Sequence, residues 1–136
     1  MQNPPPVQTS KSSTGLDENV AALLSYILGW VSGLVFFLIE KDSRLVRFHA
    51  MQSLLLNVSA AIIAIALWIV FAILFVVSTQ ISGIVSTLIT LLGTLVWLVF
   101  IIGILIAVIM CLIKAYGRQY FKLPIIGNLA EKFSTK

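Results

Sequence analysis

The residues best suited to chemistry are four polar side chains that lie just inside a long apolar segment. They recur at three- to five-residue spacing and are His49, Gln52, Ser53 and Asn57. This spacing puts them on one face of a helix, and polar groups inside a membrane usually face neighbouring helices or a wet cavity. The face therefore has two interpretations. Its residues hydrogen-bond helices together, for instance to Ser25 or Tyr26, or they form a polar path for a substrate, a lipid headgroup or a proton.

Catalytic or metal chemistry around this face lacks the residues it would need. His49 is the single histidine, and the single cysteine, Cys111, is 62 positions away. Neither a HExxH nor a CxxC pair is present to hold a metal ion, and no GxSxG motif frames a nucleophilic serine. The five carboxylates all lie outside the long apolar segments. We expect a protein that is not an enzyme and that binds no cofactor and no metal.

Two uncharged segments must position these residues. Asp, Glu, Lys and Arg are absent from 19–39 and from 48–113, 60% of the chain is hydrophobic and the mean hydropathy is +1.07. A helix crosses a bilayer core of roughly 30 Å with about 20 apolar residues. The sequence predicts an all-α integral membrane bundle with three transmembrane helices at about 20–39, 50–77 and 84–113, followed by a short interfacial C-terminal segment.

The start of the chain differs in composition from the rest. Residues 1–18 hold a triple proline and many Ser and Thr side chains with little apolar surface, which predicts a disordered tail. Acidic Asp17 and Glu18, rather than a basic region, precede the first long apolar segment, so we expect no cleaved signal peptide. The remaining residues, 19–136, are predicted to form a single transmembrane helical domain.

The positions of the basic residues predict an orientation. With three spans, eight of the nine Lys and Arg residues lie on one side of the membrane and only Lys11 lies on the other. Lys and Arg concentrate on the cytoplasmic side of membrane proteins. We therefore expect a multi-pass protein of the cell (inner) membrane with its N-terminus outside and its C-terminus in the cytoplasm.

Six of these basic residues are also candidates for contact with lipid headgroups, since clusters of Lys and Arg beside a membrane helix attract anionic lipids. They are Lys41, Arg44, Arg47, Lys114, Arg118 and Lys122. An ordinary topology signal explains the same residues, so both interpretations stay open. The nearest polyanion is the lipid bilayer, and we expect no nucleic-acid partner.

Small residues recur every four positions in the first apolar segment and form a helix-packing seam. The seam consists of Ala21, Ser25, Gly29 and Gly33. It serves either packing within one chain or the interface of a homo-oligomer, and the sequence does not separate the two.

Three short segments carry a family resemblance. They are 16–23 (LDENVAAL), 47–53 (RFHAMQS) and 123–127 (LPIIG). In this combination the chain resembles the DUF4870 group of small prokaryotic membrane proteins, which is similar to the Tic20 family of plastid import components. The resemblance implies a helical membrane protein and gives the Phe-His-Ala-x-Gln element of the second segment no catalytic role.

These observations together predict a class of function. We expect a non-enzymatic small membrane protein that acts through helix packing with itself or with another membrane protein. The alternative is a channel or carrier component, for solute or protein translocation, that uses the polar face.

Overall fold

The computed structural model describes residues 10–135, and its regular structure in that range is entirely helical. The helices are α1 (Glu18–Ile27), α2 (Trp30–Ile39), α3 (Arg44–Thr79), α4 (Gly83–Tyr116) and α5 (Ile126–Ser134). This confirms the all-α prediction. Two of the helices, α3 and α4, are long and apolar enough to cross a membrane. They cover the second and third predicted spans and extend past them at both ends.

The chain divides into two compact units. The first unit comprises Met1–Leu56 and Met110–Lys136, and the second comprises Asn57–Ile109. Every Asp, Glu, Lys and Arg of the sequence falls in the first unit and none in the second. We call them the charged unit and the apolar unit.

The predicted first span, 20–39, is divided between two short helices in the structure, so three transmembrane helices are not confirmed. The segment breaks at Gly29 into α1 and α2, each of ten residues and so about 15 Å long at 1.5 Å per residue, half the thickness of a bilayer core. Gly29 has φ 62° and ψ −129°, a backbone conformation that glycine adopts far more readily than residues with a Cβ. The break could not be predicted from composition, because the residues on both sides of Gly29 are apolar.

The two short helices form an antiparallel hairpin. Glu18, at the start of α1, accepts a hydrogen bond from the Ser43 hydroxyl just beyond the end of α2. The turn at the far end is apolar and exposed, with Leu28 and Trp30 showing 69% and 56% of their surface. Both ends of the predicted span therefore lie together, and the hairpin tip points away from them.

The N-terminal segment before α1 is folded where the structure describes it. Of the predicted disordered tail, residues 1–9 lie outside the described range. Residues 10–17 form a turn in which the Ser12 amide donates to the Leu16 carbonyl and the Gly15 amide donates to the Ser12 carbonyl, both at 2.9 Å. Two serines of this segment, Ser12 and Ser13, also donate hydrogen bonds to the buried carboxylate of Glu40, which is described below.

The apolar unit contains the C-terminal part of α3, the N-terminal part of α4 and the turn between them. Most of its large side chains are exposed, for example Trp68 (66%) and Ile84 (77%). The close approach inside this unit is at Gly93, where an added Cβ would lie 2.9 Å from the Phe71 ring. A surface this apolar requires a lipid or protein environment rather than water.

Candidate functional site

The strongest candidate site is a buried polar network in the charged unit, centred on two residues of the predicted polar face. His49 is fully buried. Its Nε2 lies 2.9 Å from the carbonyl oxygen of Gln119, and its Nδ1 lies 3.0 Å from the hydroxyl of Tyr26. Because a carbonyl only accepts, we assign the ring proton to Nε2, and in the neutral ring Nδ1 then accepts the tyrosine proton.

Gln52 extends the same network toward the C-terminal segment. Its Oε1 accepts a hydrogen bond from the Leu123 amide at 3.2 Å, which fixes the orientation of the side-chain amide. Its Nε2 then lies 3.0 Å from the Phe121 carbonyl, 3.1 Å from the Tyr26 hydroxyl and 3.4 Å from Cys111 Sγ. One side chain thus joins α1, α3, α4 and the segment after α4.

Aromatic and apolar contacts enclose this network. The Phe48 ring meets the His49 ring edge-on at 5.1 Å between centroids, and it also lies 5.4 Å from the centroid of the Tyr120 ring. Phe48 forms a core with Met51 and with Ala130 of α5. The surroundings are therefore largely apolar, and every buried side-chain nitrogen and oxygen of the described residues has a hydrogen-bond partner. A buried polar group without a hydrogen-bond partner in such an apolar environment would lower the free energy of unfolding.

The other two residues of the predicted face lie elsewhere. Ser53 is buried, and its hydroxyl donates at 3.2 Å to the Gly29 carbonyl at the hairpin break, which also accepts from the Gly33 amide. Ser32 acts at the same break, accepting from the Leu28 amide at 3.1 Å. Asn57 is half-buried and belongs to the apolar unit. Three of the four predicted residues, His49, Gln52 and Ser53, therefore belong to the charged unit.

The predicted packing seam is used inside the chain at three of its positions. Ala21 and Ser25 are fully buried, and Gly33 packs directly on α3. An added Cβ at Gly33 would lie 2.9 Å from the Ala50 carbonyl oxygen and 3.0 Å from the Leu54 amide nitrogen. Gly29 makes the turn between α1 and α2 instead of extending one helix face.

A second polar cluster surrounds Glu40, which sequence reasoning treated only as a helix stop. Its carboxylate is fully buried and accepts hydrogen bonds from the Ser12 and Ser13 hydroxyls and from backbone amides, including that of Ser43 at 2.9 Å. Burial alone would raise the pKa of this carboxyl. The hydrogen bonds from Ser12, Ser43 and Ser13 outweigh burial and lower the pKa from its ordinary 4.5 to about 2.

The predicted headgroup contacts separate into two groups. Lys41, Arg44 and Arg47 line one cavity beside the end of α5. The other three lie around the C-terminal end of α4: Lys114 in its last turn, Arg118 after it in a left-handed conformation with φ 57°, and Lys122 in an ion pair with Glu131 at 2.6 Å.

Several groups that form the polar network could not be predicted from the sequence. The carbonyls of Gln119 and Phe121 and the amide of Leu123 are backbone atoms, which no residue pattern marks. The role of Glu40 had one signal, since an acidic residue at the end of an apolar helix faces a serine-rich segment at the start of another. Within residues 10–135 no group of three or more His, Cys, Asp or Glu side chains could hold a metal ion.

Comparison with known proteins extends over most of the chain. The chain is 36% identical over 124 residues to a UPF0132 membrane protein of Methanocaldococcus jannaschii, covering 91% of this chain and 94% of the relative. A UPF0132 membrane protein of Archaeoglobus fulgidus is 35% identical over 117 residues, covering 86% and 95% of the two chains. A second such protein of M. jannaschii is 38% identical over 119 residues, covering 88% and 71%. No solved structure matches this chain.

These relatives are named as membrane proteins, and this supports a membrane location for the chain. The family comparison corrects the resemblance to the DUF4870 group and the Tic20 family. A different family, described as the magnetosome magnetite crystal formation protein family, matches residues 16–130, which contain all three segments on which that resemblance rested. The chain belongs to the magnetosome magnetite crystal formation protein family.

Proposed function

We propose that this protein is a non-enzymatic membrane protein that acts by helix packing through its apolar unit, with a second copy as the partner. The supporting observation is a groove of about 490 Å³ within that unit. Aromatic and small residues line it: Trp68, Phe71, Ala72, Phe75, Ile89, Thr90, Gly93, Thr94 and Trp97. Small residues allow helices in membranes to approach closely, and the aromatic walls supply the contact area.

The depth of the tryptophans also supports a protein partner. Trp68 precedes the end of α3, at Thr79, by eleven residues, about 17 Å along the helix. That distance puts its exposed ring near the middle of a bilayer core. Tryptophan in contact with lipid concentrates at the two membrane surfaces instead, so a packing partner accounts better for an exposed tryptophan at this depth.

A polar conduit has less support than helix packing. His49 and Gln52 direct their polar atoms to Tyr26 and to the backbone of the C-terminal segment. A conduit along this face would have to break those hydrogen bonds. We therefore interpret the two residues as the link that holds the C-terminal segment against α1 and α3.

We further propose a two-span topology with both termini in the cytoplasm. The hairpin of α1 and α2 enters the membrane part-way and returns, whereas α3 and α4 cross it. In this topology all nine Lys and Arg residues lie in segments on the cytoplasmic side of the membrane. This agrees with the positive-inside rule. This arrangement replaces the N-terminus-outside orientation predicted from three spans, which left Lys11 on the opposite side.

The oligomeric state tests the proposed packing. We would measure the mass of the full-length protein in lipid nanodiscs by native mass spectrometry, for the wild type and for Thr94→Leu, which places a larger side chain in the groove. The matched control is Val99→Leu, an exposed position of α4 outside the groove. We expect a wild-type dimer, a reduced dimer fraction for Thr94→Leu and no change for Val99→Leu. A wild-type monomer would contradict self-association.

A further inference from the structure

Two neighbouring cavities of the charged unit share one basic residue. The first, of about 370 Å³, is lined by Lys41, Asp42, Arg44, Arg47, Ser134 and Thr135. The second, of about 330 Å³, is lined by Arg44, Phe48, Tyr120, Glu131, Ser134 and Thr135. The first cavity is rich in cationic groups, and the second adds aromatic walls, so together they offer both a charged and an amphipathic surface.

The acidic side chains of these cavities already have partners. Asp42 accepts a hydrogen bond from the Ser13 hydroxyl at 2.7 Å, and Glu131 pairs with Lys122 at 2.6 Å. The side chains of Lys41 and Arg44, in contrast, form no hydrogen bond or ion pair with any residue of the range 10–135. The three cations and one carboxylate of the first cavity give it a net positive charge.

Arg47 gives the first cavity its shape. Its Nη1 donates to the Glu40 carbonyl at 2.8 Å and its Nε donates to the Ser134 carbonyl at 3.2 Å, while the guanidinium lies 4.7 Å from the centre of the Phe37 ring. Arg47 therefore ties the end of α5 to the end of α2. Because the Arg47 guanidinium makes these contacts within the protein, its role is to stabilise one side of the cavity. The side chains of Lys41 and Arg44 are then the groups available to bind a ligand.

Helix α5 indicates that the cavities lie at the membrane surface. Gly127 and Ala130 are buried on its inner face, and Leu129 and Phe133 expose 41% and 42% of their surface. An amphipathic helix with exposed apolar side chains beside basic residues is typical of the membrane interface. Acyl chains of a lipid would be next to the cavity mouth.

We propose that Lys41 and Arg44 bind the phosphate of an anionic phospholipid headgroup in the first cavity, with the exposed ring of Tyr120 in the neighbouring cavity against the glycerol region of the same lipid. An arginine guanidinium matches phosphate oxygens with paired hydrogen bonds, and lysine adds a mobile charge. The inference uses the position of the charged unit at the membrane surface. It does not depend on packing through the apolar unit.

Lipid titration of the full-length protein in detergent tests this site, with native mass spectrometry counting bound lipids. The probes are phosphatidylglycerol and phosphatidylcholine. The double variant Lys41→Gln/Arg44→Gln should bind phosphatidylglycerol about 25-fold more weakly, and each single variant about fivefold more weakly. The charge-preserving variant Lys41→Arg/Arg44→Lys should retain most of the binding.

The matched control removes two exposed positive charges that line neither cavity and are not among the predicted headgroup contacts, with Lys11→Gln/Lys132→Gln. It should bind phosphatidylglycerol nearly as the wild type does, and all variants should keep the wild-type elution volume and helical content. Equal losses in the control and in Lys41→Gln/Arg44→Gln would overturn the site, because general surface charge would explain them. Equal binding of phosphatidylcholine would overturn it as well. Displacement of the lipid by millimolar inorganic phosphate would assign the site to free phosphate instead.

Discussion

The charged unit and the apolar unit differ in what holds them together. In the charged unit, buried side chains such as His49, Gln52 and Glu40 hydrogen-bond to groups far away in sequence. In the apolar unit, the hydroxyls of Thr90 and Thr94 bond only to carbonyls one turn earlier in their own helix, both at 2.9 Å. The charged unit is held together by hydrogen bonds between distant residues, whereas most large apolar side chains of the apolar unit are exposed.

The largest expected effect comes from removing the centre of the polar network. Gln52→Leu leaves the Leu123 amide and the Phe121 carbonyl without their partner in a buried site, so the free energy of unfolding should fall by roughly 2–4 kcal/mol. Thr90→Val, which removes a hydroxyl from the apolar unit, should cost less than about 0.5 kcal/mol. Unfolding titrations in mixed micelles measure both. Similar losses for the two variants would contradict the contrast between the units.

One glycine in each unit tests the difference in packing between the charged unit and the apolar unit. At Gly33 an added methyl group meets the α3 backbone at 2.9 Å, whereas at Gly103 nothing lies within 4 Å. Gly33→Ala should therefore destabilise the protein by about 1–3 kcal/mol. Gly103→Ala should be neutral or stabilising by up to about 1 kcal/mol, because alanine favours a helix over glycine. The same unfolding titration distinguishes them, and a neutral Gly33→Ala would count against close packing of α2 on α3.

Acid should lower the stability of the charged unit, because it protonates the buried Glu40 carboxylate. Its pKa is about 2 in the folded protein against an ordinary 4.5, so the carboxylate stabilises the fold fully above about pH 4.5. This contribution is lost as the pH falls toward 2. Glu40→Gln should cost roughly 1–2 kcal/mol at neutral pH and should flatten the dependence of melting temperature on pH between 5 and 2. An unchanged pH profile in the variant would show that the acid response arises elsewhere.

The smallest effects are expected on the lipid-facing surface of the apolar unit. Ile65 exposes 60% of its surface on α3, and lipid tails are as apolar as its side chain. Ile65→Ala should change the free energy of unfolding by less than about 0.5 kcal/mol and should leave the dimer fraction unchanged. A loss of several kcal/mol would mean that this surface is covered by protein.

The long helices can be predicted from the sequence, whereas the hairpin break and the partners of the polar network cannot. Helices α3 and α4 follow from uncharged apolar segments, because a bilayer imposes helices on such segments. The break at Gly29 does not follow, because Leu28 and Trp30 on either side are as apolar as a continuous span requires. The partners of His49 and Gln52 are mainly backbone atoms of the C-terminal segment, whose position depends on the whole fold of the charged unit.

Placement of the chain ends relative to the membrane tests the central claim most directly. We would introduce single cysteines at Lys11, Gln80 and Lys132 in a Cys111→Ala background and label intact spheroplasts with a membrane-impermeant maleimide. With both termini cytoplasmic and α1 and α2 returning to the side of entry, only the cysteine at position 80 is labelled before lysis, and all three are labelled after it. Labelling at position 11 together with position 80 before lysis would show that 20–39 crosses the membrane and would contradict the account.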